Sequence, residues 1–284
     1  MLRGMIRITD ANKRYAETVA LAGMDLEVRA GEVFGLLGPN GAGKSTSMNL
    51  IAGVVAPDSG TVRVLGGDPC QPAVRQRIGL APQALSLYGE LSGRENLEFF
   101  GRIYGLSGAR LRERVDAALG FVLLTERAHD RVVAYSGGMQ RRLNIACALV
   151  HEPELMLLDE PTVGVDPQSR NAIFEHVLAL KAAGKTVLYT THYMEEAARL
   201  CDRIAIMDHG RVLALGTIDE LVRAHGGPST LVVRRNGTEL REHAADPLAR
   251  LNQLAAEGAV AEFQLERPTL EQVFLNLTGR SLRD

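Results

Sequence analysis

The chain has no tryptophan, only 5% of its residues are aromatic, and any stacking role therefore falls to a few tyrosines and phenylalanines. It has three cysteines, Cys70, Cys147 and Cys201. They are odd in number, widely spaced and without a C-x-x-C pair, which argues against a disulfide framework and a zinc site and suits a reducing compartment. No stretch approaches the roughly 18 apolar residues of a membrane span, and Met1–Arg7 lacks the apolar core of a signal peptide. Membrane attachment is therefore expected only through a partner. Nor is one sign of charge in excess: 32 Lys and Arg oppose 34 Asp and Glu, a net charge of −2. That balance gives no general electrostatic reason to bind nucleic acid or an acidic membrane surface. The pairs Arg141-Arg142 and Arg234-Arg235 are too short to change this and read as solvated faces. What remains is a folded chain: 284 residues, 46% hydrophobic, enough for one large domain with or without a smaller appendage.

Around one stretch the rest is organised. Gly38-Pro39-Asn40-Gly41-Ala42-Gly43-Lys44-Ser45-Thr46 fits the phosphate-binding pattern G-x-x-x-x-G-K-[ST]. Glu32–Leu37 before it reads as a short buried strand, and Ser45–Ala52 after it as a helix stopped by Gly53. Glycines let consecutive backbone N–H groups point into one concave site, and the helix N-terminus adds partial positive charge. The order strand, loop, helix favours this over an ordinary Gly-rich turn. Lys44 is placed to reach the β- and γ-phosphates, and the Ser45 hydroxyl suits a Mg²⁺ ligand.

Upstream, Met5–Thr9 and Leu26–Arg29 read as strands around the segment Asn12–Tyr15. Tyr15 is either a partly buried strand-end residue or a ring that stacks on a base. Downstream, strands are expected at Thr61–Leu65 and Ile78–Ala81. Gln83, just past the second, is a surface amide or a residue that touches metal or nucleotide and moves with its loop. From Arg94 to about Leu149 the period is helical, with Leu97, Phe100, Ile103 and Tyr104 on one face and Leu111, Val115 and Leu119 on a second helix. Phe99, Phe100 and Tyr104 are core residues or, where exposed, a docking surface.

Ser136-Gly137-Gly138 opens a helix. A serine N-cap explains the first position, but two glycines in the first turn cost roughly 1 kcal/mol each. They make sense if something approaches the backbone closely, and a second phosphate is the candidate. Glu154–Pro161 is an apolar run ending in Asp159 and Glu160, the pattern of a parallel strand buried on both faces. Ligands in open α/β sheets bind beyond the carboxyl ends of strands, so the two acids are expected beside the phosphate loop. Asp159 would hold Mg²⁺ and Glu160 polarise a water, unless both are plain solvated acids. Gly164–Pro167 leads into a helix through Ile173, Val177 and Leu180, capped by Gly184. Thr186–Thr190 is a further buried strand, and His192 leaves its carboxyl end, either as a structural histidine or as a hydrogen-bond partner of a γ-phosphate.

In this order the motifs resemble the ATPase subunit of ABC transporters over about residues 1–220. Tyr15 matches the adenine-stacking aromatic, Gly38–Thr46 the Walker A loop and Gln83 the Q-loop glutamine. Ser136-Gly137-Gly138 matches the signature, Asp159 and Glu160 the Walker B aspartate and catalytic glutamate, Asp166 the D-loop aspartate, and His192 the switch histidine. Tyr135 stands where leucine is common, Met139-Gln140 where Gly-Gln is, and Val165 where leucine precedes the D-loop aspartate. The resemblance implies an α/β fold: a P-loop NTPase core with a mainly parallel central sheet, an antiparallel β segment and a helical insert at about 92–150. It implies ATP with Mg²⁺, held through Ser45, Gln83 and Asp159, and clamped head to tail between Lys44 of one cassette and Ser136 and Gly138 of a second copy or a related subunit.

Residues 221–284 are expected to form a small α+β domain, with strands at Ser229–Arg234 and Val260–Leu265 and helices at Pro247–Glu257 and Thr269–Leu277. Leu270, Val273, Phe274 and Leu277 form a buried stripe. The run Pro268–Arg280 resembles the tail of bacterial ATPases that drive drug, antibiotic, polysaccharide or lipid exporters. The implied protein hydrolyses ATP at the cytoplasmic face of the cell membrane, peripheral to a multi-span permease, with no nucleic acid expected. The alternatives are an importer ATPase, a soluble ABC ATPase that remodels ribosomes or DNA, and a regulatory module without turnover.

Overall fold

Three apolar runs set the architecture, because they are buried on both faces and so must lie inside a sheet with layers on either side. The computed structural model describes residues 4–235, 238–244 and 246–279. Met1–Arg3 of the N-terminal reading and Arg280 of the tail motif lie outside that range, as does the side chain of Arg235. The chain divides between Leu215 and Gly216 into two compact units.

The first unit begins with β1 (Gly4–Tyr15) and β2 (Thr18–Arg29), then β3 (Val33–Leu37), α1 (Lys44–Ile51), β4 (Ser59–Val64), α2 (Pro72–Arg75) and β5 (Ile78–Ala81). The helical insert follows as α3 (Gly93–Ile103), α4 (Gly108–Phe121) and α5 (Gly137–Leu149). The chain returns through β6 (Leu155–Asp159), α6 (Pro167–Ala182), β7 (Thr186–Thr191), α7 (Met194–Leu200), β8 (Arg203–Asp208) and β9 (Arg211–Gly216). The central sheet has the order β5-β6-β7-β3-β8-β9, and β5, β6, β7, β3 and β8 pair in parallel. A separate antiparallel sheet has the order β2-β1-β4.

Strand alternation divides the apolar runs between two cores. Phe34, Leu36, Leu155 and Leu157 face α1 and the antiparallel sheet, while Val33, Met156 and Leu158 face α5 and α6 through Ile145, Ile173 and Val177. The insert has its own core, in which Leu97, Leu111, Val115 and Leu119 meet Leu143 and Val150. Its helices start where sequence chemistry dictates: Ser92 and Glu95 form a capping box on α3, and Ser136 caps α5.

Several expectations are corrected. Asn12–Tyr15 does not separate two strands but lies within β1, which pairs with β2 through register shifts that let the long hairpin bend. Ile103 is not on the buried face of α3; it is 62% exposed. The helix ends there, and Tyr104 turns inward to stack on His151 at 3.5 Å. Arg141 is buried rather than solvated, donating to the carbonyls of Pro82 (3.3 Å) and Gln83 (2.8 Å). Half-buried Arg142 donates to Val122 O at 2.6 Å.

In the second unit α8 (Ile218–His225) precedes β10 (Ser229–Arg235), β11 (Thr238–Ala244), α9 (Pro247–Glu257), β12 (Glu262–Glu266) and α10 (Leu270–Thr278). The sheet is antiparallel in the order β11-β10-β12. Leu231 and Val233 on one face pack against Leu254 of α9. The alternating positions of the other face carry an ion-pair ladder, Arg234 with Glu239 and Glu262, and Arg241 with Glu239 and Glu266. α10 buries Leu270, Val273 and Phe274 as the sequence expects, with Leu277 half-buried, and Asn276 donates to His225 O of α8 at 2.8 Å.

Candidate nucleotide site

β3, β6 and β7 are parallel neighbours in register, Leu37 beside Thr191 and Asp159 beside Thr190. Their carboxyl ends therefore open on one rim, and Gly38, Glu160 and His192 leave the sheet together.

At the end of β3 the backbone passes so close to β8 that a Cβ on Gly38 would lie 2.4 Å from Met207 O. Gly43, at φ 103°, sits at the N-cap of α1, where a side chain would be strained and would meet Ala20 O at 2.6 Å. Between them Pro39 O accepts from Ala42 N at 3.2 Å, closing the loop. Lys44 is the first residue of α1 and its side chain folds back into that loop. Its ammonium donates to Gly38 O (2.8 Å) and Pro39 O (3.1 Å) and pairs with Glu160 Oε1 at 2.9 Å. Asn40, Gly41 and Ser45 are exposed around it, and Thr46 is half-buried.

Glu160 holds a φ of 44°, a left-handed conformation that costs a non-glycine residue roughly 1–2 kcal/mol. Thr190 secures it: its hydroxyl accepts from Glu160 N (2.9 Å) and donates to Asp159 Oδ1 (2.6 Å). The turn sends the Glu160 side chain back over the loop. Gln83 Nε2 donates to Glu160 Oε2 at 3.2 Å, and His192 Nδ1 lies 3.3 Å from the same oxygen, off the line of a hydrogen bond. One buried carboxylate thus gathers Lys44, Gln83 and His192, with Asp159 joined through Thr190. Breaking such a pair on one side leaves an uncompensated buried charge, so whatever draws Lys44 away must itself be anionic.

Other expected site residues lie outside this cluster. Tyr15, at the end of β1, is 44% exposed, with Lys13 Nζ 5.7 Å from its ring centre. Ser136 accepts from Met139 N as the cap of α5, and Gly137 is open to solvent. Gly138 does need to be glycine, but the close approach is within the chain: a Cβ there would lie 2.0 Å from Ser169 Oγ. Asp166 caps α6, accepting from Ser169 N (2.9 Å) and Ser169 Oγ (2.7 Å), and these bonds hold its carboxyl below the usual range. Among the described residues, none of the hydrogen bonds of Ser136–Gly138 reaches the Lys44–Glu160 cluster.

Two supporting residues escaped the sequence reading. Arg141 grips the Gln83 backbone from α5; burial pushes its guanidinium down from its ordinary value while the Asp159 charge pulls it back. Thr190 is the other. Two threonines closing the run Val187–Tyr189 were its visible signal.

Comparison with known proteins fits this geometry. Residues 21–163 match the family model described as ABC transporter. The linearmycin resistance ATP-binding protein of Bacillus subtilis is 42% identical, covering 99% of this chain and 100% of its own length. The chain belongs to the ABC transporter family. It is an ATP-binding, ATP-hydrolysing member. The Nod factor export ATP-binding protein I of Cupriavidus metallidurans, another ABC relative, is 40% identical with 100% of both chains covered. Among solved ABC structures, a dimeric ATP-binding cassette in a post-hydrolysis state with ADP and phosphate superposes with a TM-score of 0.69 at 28% identity. The match covers 75% of this chain and 98% of that one. The ABC family model ends three residues beyond Glu160, whereas both relatives align through Asp166, His192 and the second unit.

Proposed function

We propose that this chain is the motor of an exporter: two copies, or one copy and a related subunit, clamp ATP between them and pass the motion to a separate multi-span permease. The carrying observation is the Glu160 carboxylate, which holds Lys44 on one oxygen and Gln83 and His192 at the other. A triphosphate entering the Gly38–Thr46 loop offers Lys44 phosphate oxygens in place of Glu160. The released Oε1 is then free to take a proton from water, while Gln83 stays at Oε2 and orients the carboxylate. His192, whose Nδ1 is buried without a hydrogen-bond partner, supplies a hydrogen bond to the γ-phosphate. Tyr15 stacks on adenine, and Ser136 and Gly138 face the nucleotide of the partner cassette, next to Asp166.

The residues also suit Mg²⁺, which keeps few protein ligands and dehydrates reluctantly. Ser45 is exposed at the loop, and Asp159 is fixed by Thr190 at the end of the adjoining strand. Ser45, Gln83 and Asp159 would hold it. Held by these residues, Mg²⁺ would supply charge neutralisation for the phosphoryl transfer.

Export is supported by the relatives' names, which speak of linearmycin resistance and of Nod factor export, and by the Pro268–Arg280 tail. No helix among the described residues is long and apolar enough to cross a membrane, so the cytoplasmic membrane face is reached through the permease. The unit that ends at Leu215 acts as the cassette and the one from Gly216 as an accessory domain; the expected limit at 220 falls inside α8. The test is purification of the tagged chain from native membranes and identification of what accompanies it. A hydrophobic multi-span protein is expected; ribosomes or DNA in its place would overturn the transport role.

A further inference from the structure

The loop carrying His192 is pinned on both sides by residues with no role in the mechanism above. Glu196, in the first turn of α7, is buried with only 2% of its surface exposed. It accepts three hydroxyl hydrogen bonds, from Thr162 (2.7 Å), Tyr189 (2.9 Å) and Thr191 (2.9 Å). Thr191 Oγ1 in turn accepts from Tyr193 N at 2.9 Å. The residues before and after His192 therefore hang on one carboxylate, which also grips the segment just beyond Glu160. A buried acid with this many donors is a rigid anchor, because losing any one donor leaves a desolvated oxygen.

α6 reaches the same loop. Arg170 places its guanidinium over the Tyr193 ring, 5.3 Å from the centre, and the Tyr193 ring lies 4.1 Å from the His192 imidazole. Arg170 Nε is buried, has no hydrogen-bond partner and stands 3.7 Å from Glu196 Oε1. It is one turn along α6 from Asp166, and adjacent Ser169 lies against the backbone of Gly138. Arg199 of α7 reaches back, donating to Asn171 at 2.8 Å and lying over Phe174 of α6. The first turns of α5 and α6 and the His192 loop are thus in mechanical contact.

We propose that Arg170 and Glu196 are positioning residues that hold His192 against Glu160 and tie its placement to the first turn of α6. The inference rests on the reading of Glu160 and His192 as the hydrolytic pair. A displacement of α6 at the Gly138–Ser169 contact moves Arg170, and with it Tyr193 and His192. Each chain can thus relate its signature segment to its own γ-phosphate site.

The test is a double-mutant cycle on phosphate release under single-turnover conditions, with ADP affinity and thermal stability measured on each protein. Arg170→Met is expected to slow hydrolysis about tenfold while ADP affinity changes less than about twofold, since ADP lacks the phosphate His192 would touch. Arg170→Lys, which keeps the charge and loses the planar stacking, recovers part of the rate. Tyr193→Phe stays within about twofold of wild type, and Tyr193→Leu behaves as Arg170→Met. In a His192→Ala background, Arg170→Met should cost less than about twofold more. The same tenfold loss in both backgrounds, or a parallel loss of ADP affinity, overturns the proposal. Glu196→Gln is the second probe; should it fail to fold, the Arg170 variants, altered at a side chain 36% exposed, still decide. Absence of hydrolysis in the wild type would instead strike at the site reading on which the inference rests.

Discussion

Two ion pairs use the same charges in opposite surroundings. Lys44 and Glu160 meet at 2.9 Å on the rim of the central sheet, each side chain only 5% exposed. Arg241 and Glu266 meet at 2.7 Å on the second unit's sheet, 54% and 37% exposed. Around the first, apolar strands on either side exclude water, and Glu160 is held in a strained backbone turn by Thr190. Around the second, alternating positions carry further ion pairs open to solvent. Coulomb attraction is strong in the first setting and largely screened in the second. The rim pair is a desolvated charge arrangement that the proposed nucleotide would displace, while the ladder is solvated.

The comparison breaks most visibly at Lys44. Lys44→Met removes the phosphate-seeking cation and leaves Glu160 buried beside an apolar chain, and hydrolysis should fall by at least about 100-fold. Phosphate release checks this, and a rate within tenfold of wild type would contradict the role assigned to the rim.

Burial of an imidazole is the next contrast. His176 and His151 are pushed down to about 4, chiefly by burial. Each is neutral in the fold and protonates more readily once unfolded, near pH 6.5. The stability they contribute is therefore complete above about pH 6.5 and is lost as pH falls toward about 4, up to about 3 kcal/mol for the well-buried His176. Chemical unfolding between pH 7.5 and 5 should show this loss, and His176→Phe should reduce it to the share that His151 retains.

The smallest effect is expected on the ladder. Arg241→Met should leave the midpoint of chemical unfolding and the rate of ATP hydrolysis close to those of the wild type. A large change in either would mean that the two ion pairs differ less than their surroundings imply.

The sequence made the rim legible because its parts are of unusual types at strand ends: a lysine after glycines, paired acids after an apolar run, a histidine after another. The apolar runs also revealed the central strands, and β5 and α9 fall on their expected limits. β11, Thr238–Ala244, escaped because its single long apolar residue, Leu240, is itself exposed, so no alternation marks the strand. β8 carries a plain apolar run at Ile204–Met207 and was open to reading on that signal. The burial of Arg141 was not, since a local run of two arginines says nothing about carbonyls more than fifty positions away. The same holds for Thr162, Tyr189 and Thr191, which become partners of Glu196 only through the fold. Gly138 was read as making room for a phosphate, and the neighbour that a Cβ would strike is Ser169.

The most direct test of the rim is Glu160→Gln, followed at once for ATP binding, dimer formation and phosphate release. If Glu160 takes the proton from water, this variant binds ATP and accumulates as an ATP-dependent dimer while releasing phosphate about 100-fold more slowly. Turnover at the wild-type rate would show that the proton goes elsewhere.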